Sequence, residues 1–238
     1  MTRVLAAAAI LAALFTYPEW AASIEGARYW ETILRDMLVF AIYALSLDIL
    51  IGRAGMPSLG HAAFFGGGAY AAAVASSRLG TDELVVVLLA AVAVAAALVW
   101  WIGRSHYGRS LAGVRENERR MRALGYDTTR LKLSAFVLAA GIAAVAGALS
   151  AWSFRFVSPN DVGLGRSVEG FVMVLIGGAG SIVGPILGAA VVLYIDRVLS
   201  SSIPYSQTVL GLVFIAFVIA ARQGIVGVAR GAYSRVRP

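Results

Sequence analysis

The sequence predicts an all-α fold: a polytopic helical bundle that crosses a membrane in about six to eight segments. Composition comes first: 60% of the 238 residues are hydrophobic and 14% are charged, where a typical soluble domain has about 25% charged. The apolar residues also run together in long stretches, more than one compact core of this size can hide. Glycine is in excess at 26 residues, which suits close packing between membrane helices. Composition alone excludes a soluble enzyme.

In chain order, windows close to the roughly 20 apolar residues a span needs lie near residues 4–17, 33–51, 59–77, 84–102, 133–152 and 207–221. The first is short, with Arg3 before it and Ala21-Ala22-Ser23 after it, as in a cleaved signal peptide. Because several spans follow, a retained first helix is the favoured reading. The stretch 167–199 is apolar but broken by Gly177, Gly178, Gly180, Gly184 and Pro185.

Two hydrophilic segments set the sides. Residues 103–132 carry Arg104, Arg109, Arg115, Arg119, Arg120, Arg122, Arg130 and Lys132 against Glu116, Glu118 and Asp127. The tail adds Arg222, Arg230, Arg235 and Arg237 without an acid. Basic segments beside spans stay in the cytoplasm, so 167–199 must cross an even number of times. It is too short for two full helices at about 1.5 Å per residue. Two short or discontinuous helices meeting at the Gly177–Pro185 break are expected. Irregular backbone at membrane depth survives only inside protein or beside a water-filled cavity, so the break should be interior. Pro185 suits the first turn of a new helix, and a helix start there should aim free N–H groups at a cavity.

Several chemistries are excluded. There is no cysteine, hence no thiolate metal site, disulfide or cysteine nucleophile. The two histidines, His61 and His106, cannot build a histidine metal cage. The one lysine, Lys132, precedes Leu133, so no phosphate-binding G-K-[ST] loop exists and any ATP is hydrolysed by another chain. No cofactor is expected. The net charge of +7 lies beside spans rather than on a nucleic-acid face, so no nucleic-acid partner is expected.

Three constellations remain. Gly180, Gly184 and Gly188 are spaced by four, as are Ala63, Gly67 and Ala71, and Ala143, Gly147 and Ala151. Such faces let helix backbones touch. Residues 108–125 read as one short helix with Leu111, Val114, Met121 and Leu124 in an arc of about 140°. Glu116–Arg120 and Glu118–Arg122 pair at i,i+4 in the favourable order. Gly125 stops that helix and Asp127 to Thr129 cap the next. The pattern suits a solvated positive-inside loop and a docking helix for a cytoplasmic partner equally. Asp48, Glu169 and Asp196 are the membrane acids. The last two lie near Arg166 and Arg197 at span ends, whereas Asp48 is deeper, with only Arg53 within sight. His61 is expected to bond backbone; Ser58 and His61, three residues apart, make no catalytic dyad.

Three segments together carry a resemblance. They are Ser58-Leu-Gly-His-Ala-Ala-Phe-Phe-Gly-Gly-Gly-Ala-Tyr70; Tyr107-Gly-Arg-Ser-Leu with Arg115-Glu-Asn-Glu118 and Ala123-Leu-Gly125; and Val157-Ser-Pro159 with Gly177-Gly-Ala-Gly-Ser-Ile-Val-Gly-Pro185. In this order the chain resembles the permease subunits of branched-chain amino acid ABC importers. The resemblance implies a single transmembrane permease domain over 1–238, multi-pass in the bacterial inner membrane and surrounded by lipid. Its docking loop, about 103–132, would contact the ATPase through Arg115, Glu116, Asn117, Glu118, Ala123, Leu124 and Gly125. Ser58, Gly60, His61, Gly177, Gly178, Gly180, Gly184 and Pro185 would pack around the substrate path. The implied partners are a second homologous permease subunit, cytoplasmic ATPase subunits and an external solute-binding protein.

The chain departs from the family pattern in three places. Asp48 stands where the family usually has Asn, Met56-Pro57 replaces a Gln-containing dipeptide, and the region between Ala75 and Val99 is shorter. The alternatives are an ion-coupled secondary transporter using Asp48 or Glu169, a family permease for urea or short amides, and a shortened assembly subunit that does not transport.

Overall fold

The computed structural model describes residues 27–75, 84–200, 211 and 224–227. The expected span at 4–17, that at 207–221 apart from residue 211, and the arginines of the tail lie outside the described residues. Among the described residues there is helix and no strand.

Helix α1, Ala27–Asp48, passes without interruption into a π-helical stretch, Ile49–Ala54, which ends at Gly55 with φ +70°. From Val39 to Leu50 every residue is buried. Apart from Ser46 and Asp48 this stretch carries apolar and aromatic side chains on every face, because neighbours surround it, here α3, α6, α7 and α8 as defined below. Helix α2, Ala62–Ala75, is short, and α3, Leu84–Arg104, buries Ala95, Val99 and Ile102, spaced by four and three, against α1. Ser105 then caps α4, His106–Glu116, by accepting the Gly108 N–H at 3.1 Å.

The expected single helix over 108–125 is corrected to two. Asn117 turns extended (φ −157°) and caps α5, Glu118–Ala123, by accepting the Arg120 N–H at 3.0 Å. Its side chain offers the backbone a better partner there than helix continuation does. The break divides the expected apolar arc: Leu111 and Val114 are buried, while Leu124 is 64% exposed. It also separates Glu116 from Arg120, which do not pair, whereas Glu118 and Arg122 do at 2.8 Å. Gly125 (φ +87°) ends α5, and Asp127 caps α6, Thr128–Phe154, as expected.

Helices Tyr29–Ala54 and Thr128–Phe154 are long and apolar enough to cross a membrane, with mean hydropathy 1.8 and 2.1. A capping box at Ser158 opens a 3-10 turn, Pro159–Val162, which leads into α7, Leu164–Gly177, and then α8, Val183–Ser200. At 14 residues α7 is about 21 Å long, short of the roughly 30 Å hydrocarbon core. The stretch 167–199 is therefore two helices with an irregular link, and Pro185 sits in the first turn of the second.

Small residues decide how the helices meet. A methyl group at Gly147 would strike the Phe65 carbonyl, and one at Gly68 the Ala144 carbonyl, so α2 and α6 touch backbone to backbone. Ala143, Gly147 and Ala151 are buried. The matching expectation for Ala63, Gly67 and Ala71 is corrected: all three are exposed, and Gly67 faces open space. Phe65 sets the rotation of α2, because its ring sits among Phe40 (5.7 Å) and Tyr43 (5.1 Å). The contact edge is consequently Ala62, Phe65 and Ala69, all buried.

Candidate functional site

The link between α7 and α8 is built from glycines because the backbone turns through conformations other residues avoid. Gly178 and Gly180 have φ +105° and +85°, values open chiefly to glycine. Ser181 closes the link from both sides: its hydroxyl donates to the Gly178 carbonyl and accepts the Gly184 N–H, each at 3.0 Å. A serine two residues before the helix start is a capping signal that sequence analysis overlooked. Ser181→Ala is expected to lower thermal stability by about 1 kcal/mol, the usual worth of a helix cap, in an unfolding assay.

Gly184 and Gly188 do form a contact face. Methyl groups there would strike the Gly178 and Met173 carbonyls, so α8 rests on the backbone of α7. Gly180 is off the helix, and its reason for being glycine is conformational rather than steric. Gly224 lies against the Gly178 backbone on another side of the link.

Asp48 holds the link from below. Its Oδ1 accepts the Gly180 N–H at 2.6 Å across 132 residues of sequence. Arg53 makes no hydrogen bond to Asp48, and its guanidinium lies against Gly103 instead. Gly52 completes the contact, since a methyl group there would strike both the Asp48 carboxylate and the Gly180 amide. The Gly52 carbonyl in turn accepts from Nη1 of Arg115 on α4. One chain of contacts therefore joins α4, the π-helical stretch, the end of α1 and the α7–α8 link. The Gly180 N–H of the link is taken by Asp48, and in the first turn of α8 the Gly184 N–H is taken by Ser181 instead of facing a cavity as expected.

Glu118 ties the hydrophilic segment down at its other end. It pairs with Lys132 and with Arg122, and accepts from Thr128 at 3.2 Å, clamping α5 to α6. The hydrogen bond from Lys132, helped by Thr128 and Arg122, holds its carboxyl below the usual range. A lowered pKa means that the clamp persists at neutral pH and opens only as pH falls through that lowered value. Glu116, Asn117, Ala123, Leu124 and Gly125 are exposed. Leu124 and Tyr126 are exposed in the same segment as the exposed Arg119, Arg120 and Arg122.

The remaining site residues divide. His61 is fully buried; its Nε2 lies 2.9 Å from the Ser46 hydroxyl and its ring stacks on Tyr43 at 5.7 Å. The expected backbone partner for His61 is thus replaced by a side chain of α1. Nδ1 of His61 has no partner among the described residues. Ser167 of α7 accepts the Ala62 N–H at 3.0 Å and caps α2 beside it. Ser58 and Gly60 do not join this cluster; Gly60 faces open space. Glu169 pairs with Arg166 at 2.8 Å, and Arg197 pairs with Asp36.

Comparison with known proteins follows the same segments. A family model described as branched-chain amino acid transport system / permease component matches residues 29–99 and 80–218. The high-affinity branched-chain amino acid transport system permease protein LivM of Salmonella typhimurium is 37% identical over 124 residues, 52% of this chain and 29% of that protein. LivM of Escherichia coli is 36% identical over 124 residues, with the same coverage. The autoinducer 2 import system permease protein LsrC of Salmonella typhi is 33% identical over 107 residues, 42% of this chain and 30% of that protein. The chain thus spans less than a third of the length of these relatives. No solved structure matches it.

Proposed function

Since the chain belongs to the family of branched-chain amino acid transport system permease components, a family of ABC importers, we propose that it is the membrane-spanning subunit of such an importer. Its solute would be a branched-chain or related hydrophobic amino acid, as in the LivM names; LsrC shows that a relative imports something else. A second homologous permease subunit, cytoplasmic ATPase subunits and an external solute-binding protein would complete it in the bacterial inner membrane.

One observation carries the reading. The exposed basic segment is wired to the interior by Arg115 on Gly52, and Gly52 and Asp48 on Gly180. ATPase subunits seated on Leu124 and the arginines of the same segment would move α4 and α5 when they close. Arg115 would pass that movement to the π-helical stretch, and Asp48 to the α7–α8 link. Gly177, Gly178, Gly180, Gly184 and Pro185 then act as the hinge, with His61 and Ser46 toward the solute path. Such a device shifts between two states only through differential binding to them.

The test is a contact and a coupling measured together. Because Glu118 is tied up in the clamp, the exposed Leu124 is the position for a cysteine, and the cysteine-free background keeps the reaction specific. Leu124→Cys should cross-link to the ATPase subunit. Leu124→Asp should reduce ATPase association and solute uptake together by about tenfold, an anchor residue's worth at an interface. Uptake that persists without the ATPase and collapses with the proton gradient would replace this reading with the ion-coupled one.

A further inference from the structure

A groove of about 670 Å³ opens between the last turns of α3 and the first turns of α6. Leu98, Trp101, Leu133, Val137 and Leu138 line its depth. Its hydroxyl groups are already satisfied. The Tyr107 and Ser134 hydroxyls bond each other at 2.7 Å, and the Ser105 hydroxyl donates to the Ile102 carbonyl at 2.6 Å. Walls of this kind accept hydrocarbon and offer nothing to a polar solute.

One end of the groove is charged. Arg130 lies a turn before Leu133 on α6, and its Nε pairs with Asp127 at 2.9 Å while its two terminal nitrogens have no partner among the described residues. Nearby, the Arg104 guanidinium sits 4.8 Å over the exposed Trp100 ring, and Trp101 is 66% exposed. Tryptophans beside arginines mark the depth of lipid headgroups, and basic residues on that side favour anionic lipid. A transmembrane helix fits the groove poorly, because helices approach closely over glycine and alanine, and this wall is made of bulky side chains.

We propose that this groove binds one anionic phospholipid, its acyl chain along Leu98, Val137 and Leu138 and its phosphate at Arg130. The proposal needs the chain to be in a membrane but does not depend on the importer reading.

The experiment titrates the full-length purified protein with phosphatidylglycerol and with phosphatidylcholine of the same acyl chains, and counts retained lipids by native mass spectrometry. Wild-type protein should retain one phosphatidylglycerol in preference to phosphatidylcholine. Arg130→Gln should cut that preference about fivefold, the contribution of one basic residue at an anionic surface, and leave phosphatidylcholine retention unchanged. Val137→Trp fills the groove from an exposed position, so it should reduce retention of both lipids without disturbing the core. Equal retention of the two lipids by wild type, or a preference intact in both variants, would overturn the proposal. So would a Val137→Cys protein that cross-links to a second permease subunit in the assembled complex.

Discussion

Gly188→Leu and Gly147→Leu are expected to remove the protein from the membrane fraction, while Gly67→Leu leaves its level unchanged. At Gly188 the added side chain meets the Met173 carbonyl, and at Gly147 the Phe65 carbonyl. Backbone cannot yield as the tip of a flexible side chain does, so α7 and α8, or α2 and α6, must separate. The cost should reach about 3 kcal/mol or more, the upper end for overpacking. Gly67 belongs to an equally regular four-residue pattern, but nothing lies within 4 Å of where its Cβ would stand. Quantitative blotting of membranes and thermal unfolding in detergent measure the three side by side. Loss of Gly67→Leu as well would mean that a partner covers that face; survival of Gly188→Leu would refute the α7–α8 contact.

Asp48 should tolerate Asn and not Ala. The role assigned to it is to accept the Gly180 N–H at 2.6 Å, and an amide oxygen can do that as a carboxylate can. Uptake by Asp48→Asn should therefore stay within about twofold of wild type, since one acceptor replaces another. Asp48→Ala removes a part-buried hydrogen bond to a charged acceptor, a cost of about 1.5–3 kcal/mol, placed on the contact that joins the hydrophilic segment to the link. Uptake should fall by about tenfold, which is what 1.4 kcal/mol amounts to, while the ATPase subunit still co-purifies. A proton carrier predicts the reverse ranking, because Asn cannot titrate. Loss of uptake in Asp48→Asn, together with protonophore sensitivity in wild type, would move Asp48 from positioning to proton transfer.

Periodicity and chemistry along the chain were enough to place the helices near 33–51, 59–77, 84–102 and 133–152, the break and its proline. Apolar runs, the glycine cluster around 177–184 and the Gly125–Asp127 punctuation are local, and local signals act before the chain folds. The family was legible for the same reason, in contiguous motifs such as 58–70 and 177–185. What only the tertiary structure decided is which side of each helix meets a neighbour. The Ala63, Gly67, Ala71 and Ala143, Gly147, Ala151 stripes are alike in sequence, yet one is exposed and one buried. The difference lies in Phe65, whose ring is drawn into a cluster contributed by α1. The break at Asn117 had a local signal, but helix propensity and side-chain capping compete at such a residue and context chooses between them. Asp48 illustrates the limit most plainly: Arg53 is five residues away, and the group it actually holds is the Gly180 amide, 132 residues distant. A hydrogen bond to backbone leaves no trace in residue type, because every non-proline residue carries the same N–H. It became visible only when packing brought α1 and the α7–α8 link together.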